Sequence, residues 1–373
     1  MKIAIISHTE HYKRNDGTIV GWGPTIKEIN KLLNIVDSIV HIAPLHKEQA
    51  PNSALCYNSD KIEFIALKKA GGQGLEKLSL LTTAPYNLLR ISKAIKNVDF
   101  VQFRAPTGMG IYVLPFLKYF NKKQYWVKYA GNWIDPLMPL GNKVQKFWLQ
   151  KCVSLQTKIT VNGHWENERE NVIPFENPCI STSDRAFGKE SIKNKIIEDK
   201  IIFCFVGALN KHKGVDQILD SLSELNEKRI SEIHFVGDGK ERDKYISIAQ
   251  KNKYKTIFHG FLPKDKIKEI YAKSHFIILP SKSEGFPKVI AEAINFGCIP
   301  IVSDVSCIGQ YIKNERNGFL LSSPTSALLQ KAILKSLKLS HKDYYQWISN
   351  NYRLAEKFTY KYYNKRLITE IFK

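Results

Sequence analysis

The 373-residue chain has no apolar run approaching the roughly 18 residues of a membrane-crossing helix. Its richest stretch, Gly110 to Phe120, is broken by Pro115 and Lys118. The opening Met1-Lys2-Ile3-Ala4-Ile5-Ile6-Ser7-His8 is too short for a secretory leader and reads as a first buried strand. A cytoplasmic protein is expected. The six cysteines include no CxxC pair and none at ligand spacing beside histidines, so reduced structural thiols are expected rather than a disulfide frame or a zinc site. GxGxxG and GxxxxGK[ST] are both missing, which leaves a nicotinamide dehydrogenase and a P-loop enzyme without their phosphate loops. Acidic residues are scarce, 35 against 56 basic ones, for a formal charge of +21. Such an excess suits nucleic acid, an anionic membrane surface or phosphate-bearing substrates. Helix-turn-helix, RRM and zinc-finger patterns do not occur, so nucleic acid is not the expected partner.

An apolar content of 43% is ample for two cores, and the length suits two α/β domains. Short apolar runs alternate with amphipathic stretches. Strands are predicted near 2–7, 38–43, 62–67, 99–104, 124–130, 158–162 and 171–175, then near 200–206, 231–236, 256–259, 276–280, 299–303 and 318–321. Helices are predicted near 24–34, 75–96 and 142–152, then 213–225, 240–252, 264–273, 287–296, 308–313 and 324–338. This alternation predicts parallel sheets covered on both faces. The expected domains are 1–176, a linker 177–199, 200–340, and C-terminal helices 341–373 packing back toward the first domain.

Ligands of open parallel sheets bind beyond the carboxyl ends of the strands, and the glycines fall there. Gly21-Trp22-Gly23-Pro24 follows the first strand of the first half. In the second half Gly207, Gly237-Asp238-Gly239, Gly260 and Gly285 each follow a strand. The segment from Pro280 to Ala293 holds two carboxylates eight apart, Glu284 in a loop and Glu292 in the second turn of a helix that Pro287 should open. A helix start suits a diphosphate, and carboxylates there suit sugar or ribose hydroxyls. An acidic cap followed by an exposed helix glutamate is the plainer reading of the same spacing. Phe205-Val-Gly207-Ala-Leu-Asn-Lys211-His-Lys213-Gly214 reads as a phosphate loop with cations in reach, or as an exposed basic turn.

Residues 201–321 resemble the donor domain of the retaining glycosyltransferases of family 4, which have the GT-B fold. The resemblance rests on Phe205-Val-Gly-Ala-Leu with Lys213-Gly214, Val236-Gly-Asp-Gly239, Phe258-His-Gly-Phe-Leu262, Glu284 to Glu292, Gly297-Cys-Ile-Pro300, and Asn317-Gly-Phe-Leu320, in that order. It implies two Rossmann-like doubly wound domains facing across a cleft. It implies that Glu284 and Lys213 are catalytic, on the sugar hydroxyls and the diphosphate leaving group, and that Glu292 holds the donor ribose. Gly207, Lys211, Gly237, Gly239, Gly260, Phe261, Leu262, Gly285, Phe286, Pro287, Lys288 and Val289 complete the implied donor site. Retention and independence of metal and cofactor follow from the same resemblance, with a UDP- or GDP-type sugar as donor. Two departures stand out: Ala208 replaces the family's arginine, with Lys211, His212, Lys282 or Lys288 as substitutes and Lys288 favoured, and Pro287 replaces a glycine and has no N–H to give.

In the first half Gly21, Trp22, Gly23, Arg104, Asn132, Trp133 and Asn162 are candidates for acceptor or cleft contacts, each with a structural alternative. The expected activity is transfer of a hexosyl unit to a glycan or lipid-linked glycan in cell-surface polysaccharide synthesis, with peripheral attachment to an anionic membrane surface as a further expectation. A sugar-nucleotide epimerase of the same fold is the alternative, and a basic nucleic-acid-binding protein a more distant one.

Overall fold

The computed structural model describes residues 1–72, 74–198 and 200–373. The chain divides into two compact units, Met1–Glu176 with Tyr363–Lys373, and Asn177–Tyr362.

The strands of the first unit are β1 (Lys2–Ile6), β2 (His11–Lys13), β3 (Ile19–Trp22), β4 (Ser38–His46), β5 (Ala54–Cys56), β6 (Ile62–Leu67), β7 (Phe100–Ala105), β8 (Gln124–Tyr129), β9 (Lys158–Val161) and β10 (Val172–Pro174). Its helices are α1 (Gly23–Leu32), α2 (Ser79–Ala94), α3 (Gly110–Tyr119) and α4 (Leu140–Lys151). Parallel pairing runs β6-β4-β1-β7-β8-β9-β10. Ile3 to Ile6 are fully buried, as a central parallel strand requires. On one face Ile91 and Ile95, Val113, Leu114 and Leu117, and Leu149 and Val153 bring the segments of α2, α3 and α4 into a single core. On the other face Ile29 and Leu32 of α1 pack with Tyr363, Leu367 and Ile371.

The antiparallel flap β2-β3-β5 differs from expectation. Gly21 and Trp22 lie in β3, and Gly23 opens α1, so these candidates sit on a strand and a helix start and not in a loop directly after β1. Gly21 is glycine because a Cβ would fall 2.6 Å from the buried His11 ring. That ring belongs to a closed hydrogen-bond chain. Thr9 N–H donates to Ser7 Oγ, which meets His41 Nε2; His41 Nδ1 meets the Tyr57 hydroxyl, and Tyr57 meets His11 Nε2. His11 Nδ1 returns to the Thr9 carbonyl.

The second unit has strands β11 (Ile201–Val206), β12 (Ile230–Val236), β13 (Lys255–Phe258), β14 (Phe276–Leu279), β15 (Ile299–Ser303) and β16 (Phe319–Leu321). They pair in parallel in the order β13-β12-β11-β14-β15-β16. Its helices are α5 (Thr182–Lys193), α6 (Val215–Ser223), α7 (Arg242–Ala249), α8 (Lys264–Lys273), α9 (Lys288–Asn295), α10 (Ile308–Tyr311), α11 (Ser326–Leu337) and α12 (His341–Ala355). A further helix, α13, spans Tyr360–Arg366. The order of strands reverses between β11 and β14, which makes that edge the topological switch point of the sheet.

Two expectations about organisation change. Most of the segment expected as linker is helix α5; position 199 lies outside the described residues. Ser181 and Asp184 form a reciprocal capping box, and Asp184, Gly188, Ser191 and Ile192 are buried. The C-terminal helices also divide. Helix α12 packs on α9 and α5 of the second unit, with the Tyr344 hydroxyl donating to the Gly297 carbonyl at 3.2 Å, and only Tyr363–Lys373 belongs to the first. No helix among the described residues is long and apolar enough to cross a membrane.

Candidate active site

The loops that leave β11, β12, β13 and β14 are joined backbone to backbone. Leu209 N–H donates to Asp238 O, Gly237 N–H to Gly260 O, and Lys282 N–H to His212 O, each at 2.9 Å. This closeness needs glycine. At Gly237, with φ +134°, a Cβ would fall 1.9 Å from Gly207 O; at Gly214, with φ +78°, it would fall 2.3 Å from Pro280 O. Gly239 has the carbonyl of Leu209 2.2 Å from where its Cβ would be.

Lys213 ends a one-turn helix, Lys211–Lys213, whose start is capped by Asn210: the side-chain oxygen accepts Lys213 N–H at 3.0 Å. Its ammonium pairs with the Glu284 carboxylate from the loop after β14. The pair therefore bridges β11 and β14 at the switch point. The Glu284 side chain is only 9% exposed and that of Lys213 29%, so the ion pair is partly withdrawn from water.

Helix α9 follows, with Pro287 as its N-cap and Lys288 as its first residue, one position later than expected. Phe286 is buried, stacked on Phe358 with centroids 4.6 Å apart and packed against Tyr311. Its side chain anchors the loop from within the core rather than lining an open site. Cys307 Sγ reaches the Gly285 carbonyl at 3.5 Å. Leu262 and Val289 pack on the core of the unit, whereas Phe261 is 56% exposed.

Glu292 lies one helical turn beyond Lys288, and its carboxylate is 3.5 Å from the Lys264 ammonium. Burial pushes the Glu292 carboxyl above its ordinary value, while the charges of Lys264 and Lys288 pull it back. Lys264 also donates to the Cys179 carbonyl at 2.5 Å and to Asp184 at 3.1 Å. Burial pushes Asp184 up, but Lys264, Lys268 and the Ser181 N–H outweigh it and hold the carboxyl far below its usual range. The structure thus brings Lys213 and Glu284 together directly, and places Glu292 beside Lys264, just past the 260–262 loop.

Lys264 and Asp184 were not anticipated. Lys264 directly follows Pro263 at the start of a predicted helix, but its partners come from α5 and α9 and cannot be read locally. A second unforeseen group joins β12 to the loop after β13. The His234 ring meets Glu232 at 3.0 Å and His259 Nε2 at 2.8 Å. Burial, helped by the charge of Lys273, lowers His234 to about 4. His234 is therefore neutral near pH 7: Nε2–H donates to Glu232, and Nδ1 accepts from His259, which precedes Gly260.

The first-unit candidates are largely occupied. Trp133 is fully buried, donates to Glu168 at 2.6 Å and meets Tyr129 edge-on, so it is a core residue and offers no stacking face. Arg104 is held by Glu28 at 3.1 Å, and Glu28 also takes the Lys128 ammonium at 2.6 Å. Asn162 is buried and donates to the Ala130 carbonyl at 3.0 Å. The Asn132 side chain accepts Ile134 N–H at 3.2 Å within its own turn. Trp22 alone among these large side chains is substantially exposed, at 55%.

Residues 187–354 match the family described as "Glycosyl transferases group 1". The uncharacterized glycosyltransferase MJ1607 of Methanocaldococcus jannaschii is 28% identical over 123 residues, so the match spans about a third of either chain (32% of each). The lipopolysaccharide glucosyltransferase WaaG of Escherichia coli is 28% identical over 152 residues, 39% of this chain and 40% of WaaG. The solved structure of Alr3699/HepE of Anabaena in complex with UDP superposes with a TM-score of 0.70 at 14% identity, covering 99% of each chain. The fold is accordingly two Rossmann-like parallel-sheet units with GT-B glycosyltransferases as structural neighbours, and the residues that match the glycosyl transferases group 1 family lie within the second unit.

Proposed function

We propose that this chain is a retaining, metal-independent glycosyltransferase that moves a hexosyl unit from a UDP- or GDP-type sugar to a glycan or lipid-linked glycan. The Lys213–Glu284 pair at the switch point of the second sheet carries the reading. A nucleotide-diphosphate sugar seated there would meet a cation at its leaving group and a carboxylate at its hydroxyls. Lys213 would offset the charge that develops on the departing diphosphate, the largest electrostatic demand of the reaction. Glu284 would orient the transferred sugar, and Glu292, with Lys264 beside it, would hold the ribose. The start of α9 adds its dipole without a side-chain cap. HepE has been solved with UDP and with UDP-glucose, which supports a nucleotide-sugar donor; WaaG is a lipopolysaccharide glucosyltransferase, which supports a role in cell-surface polysaccharide synthesis.

The test is a thermal-shift screen against sugar nucleotides, followed by nucleotide release with acceptor. A true donor at about 100 times its Kd stabilises the protein by about 2.7 kcal/mol. Release should continue in excess chelator. No stabilisation by any UDP- or GDP-sugar defeats the donor reading, and loss of turnover in chelator that is restored by metal defeats the metal-free one.

A further inference from the structure

Helices α2, α3 and α4 turn their inner sides into one core, so their outer sides share one surface of the first unit. That surface is apolar where a monomer's helices are normally polar. Leu78, at the entry to α2, and Leu81 and Leu89 are 58, 69 and 64% exposed. On α4, Leu140, Val144 and Phe147 recur at i, i+4 and i+7 and are 77, 48 and 60% exposed. Residues 75–155 hold 14 of the 22 large hydrophobics exposed among the described residues, in about a fifth of the chain, so the excess is local.

The same helices contain no aspartate or glutamate. They carry Arg90, Lys93, Lys118, Lys143, Lys146 and Lys151, with Arg90, Lys93, Lys143 and Lys151 exposed beside the apolar rows. We propose that this face docks on an anionic phospholipid bilayer. The charge pattern selects that occupant. A second copy of the chain would set six cations against six. A nucleic acid would satisfy the cations and leave the leucines and Phe147 in water. A bilayer surface takes the apolar rows at the headgroup–acyl boundary and the cations at its phosphates. The proposal does not rest on the transfer reaction, and none of these residues belongs to the candidate site.

The experiment is flotation of the full chain with vesicles of phosphatidylcholine alone or mixed with phosphatidylglycerol. Binding is expected on the mixed vesicles, weakened by salt. Lys143→Gln with Lys151→Gln should weaken it about thirtyfold, from the usual contribution of a cation at an anionic surface. Leu81→Gln, Leu89→Gln, Val144→Gln and Phe147→Gln together should weaken it at least ~100-fold. All six positions are exposed, and unchanged thermal unfolding confirms the fold. Leu334→Gln, an exposed leucine of the second unit, should leave binding intact. Failure to float with anionic vesicles overturns the proposal. So does full binding by the four-site variant, or a dimer that the four-site variant dissolves.

Discussion

Replacing either member of the Lys213–Glu284 pair should impair transfer, but the two replacements should move nucleotide-diphosphate affinity in opposite directions. With the cation about 4 Å from a phosphate oxygen and an effective dielectric near 20, Coulomb's law gives about 4 kcal/mol. Lys213 is 29% exposed, and water screens part of that, leaving about 2 kcal/mol, or roughly thirtyfold in UDP affinity lost by Lys213→Ala. Turnover should fall further, about 10²–10³-fold, because leaving-group charge peaks in the transition state. Glu284→Gln keeps the shape and removes the negative charge that occupies Lys213. UDP affinity should hold or rise, while turnover falls about 10–100-fold with the loss of a charge-assisted hydroxyl contact.

Stability should split the pair a second way. Lys213→Ala leaves a carboxylate 9% exposed without its cation, at a cost of about 1–3 kcal/mol. Glu284→Gln leaves a lysine able to turn to solvent and should change stability little. Calorimetric titration with UDP and GDP, nucleotide-release turnover and denaturant unfolding read all three quantities. If both variants shift nucleotide affinity in the same direction, the pair does not sit at the diphosphate and the assignment fails.

Gly237→Ala should cost about 3 kcal/mol or more and abolish nucleotide binding, since its Cβ meets the Gly207 carbonyl at 1.9 Å and φ is +134°; Gly141→Ala, on open helix surface, is the control and should stabilise slightly in urea unfolding. Glu292→Gln should lower nucleotide affinity yet raise the melting temperature at pH 7. Burial lifts the folded-state pKa of Glu292, so its contribution to stability is present below its ordinary value and lost as pH rises through the folded one; the variant's advantage should shrink toward pH 4. His11, His234 and His275 are each lowered to about 4, by burial first. Their stability is full above the ordinary value of 6.5 and lost as pH falls toward 4, by up to about 3 kcal/mol apiece. Urea midpoints should therefore drop steeply over that window, and a flat profile would refute the neutral assignments.

The parallel strands were readable because burial on both faces leaves continuous apolar runs, such as Ile3 to Ile6 and Phe276 to Leu279. The flap was not. His11–Lys13 and Ala54–Cys56 are three-residue strands, partly exposed, and owe their existence to partners 6 to 36 positions away. Helix α3 hid because Gly110–Tyr119 is apolar on nearly every side and contains Pro115, so no stripe marks its period. Helix α5 hid because its few apolar residues sit among charges, and its buried side includes Asp184, Gly188 and Ser191. In the site, loop residues could be ordered along the chain by their glycines. Which side chains were already committed could not. Trp133 and Asn162 read as ligand contacts until the distant Glu168 and the adjoining Ala130 carbonyl engage them.

Ala208 stands where the resemblance implies an arginine, and how the cations are shared narrows which residue would stand in for it. Lys288, favoured from sequence, lies four residues before Glu292 on α9, and its charge acts with that of Lys264 on the Glu292 carboxyl. Lys213 is paired with Glu284. Each carboxylate of the motif thus has a lysine at hand before any donor arrives. A diphosphate entering this balanced arrangement brings charge that these pairs do not fully neutralise. Lys211 and Lys282 are the exposed cations on the loops after β11 and β14, and Lys282 N–H to His212 O joins those loops. The arginine's role is therefore expected of these two before Lys288, because they stand on either side of the switch point: Lys211→Ala with Lys282→Ala should lower UDP affinity more than Lys288→Ala in calorimetric titration, and the reverse order returns the role to Lys288.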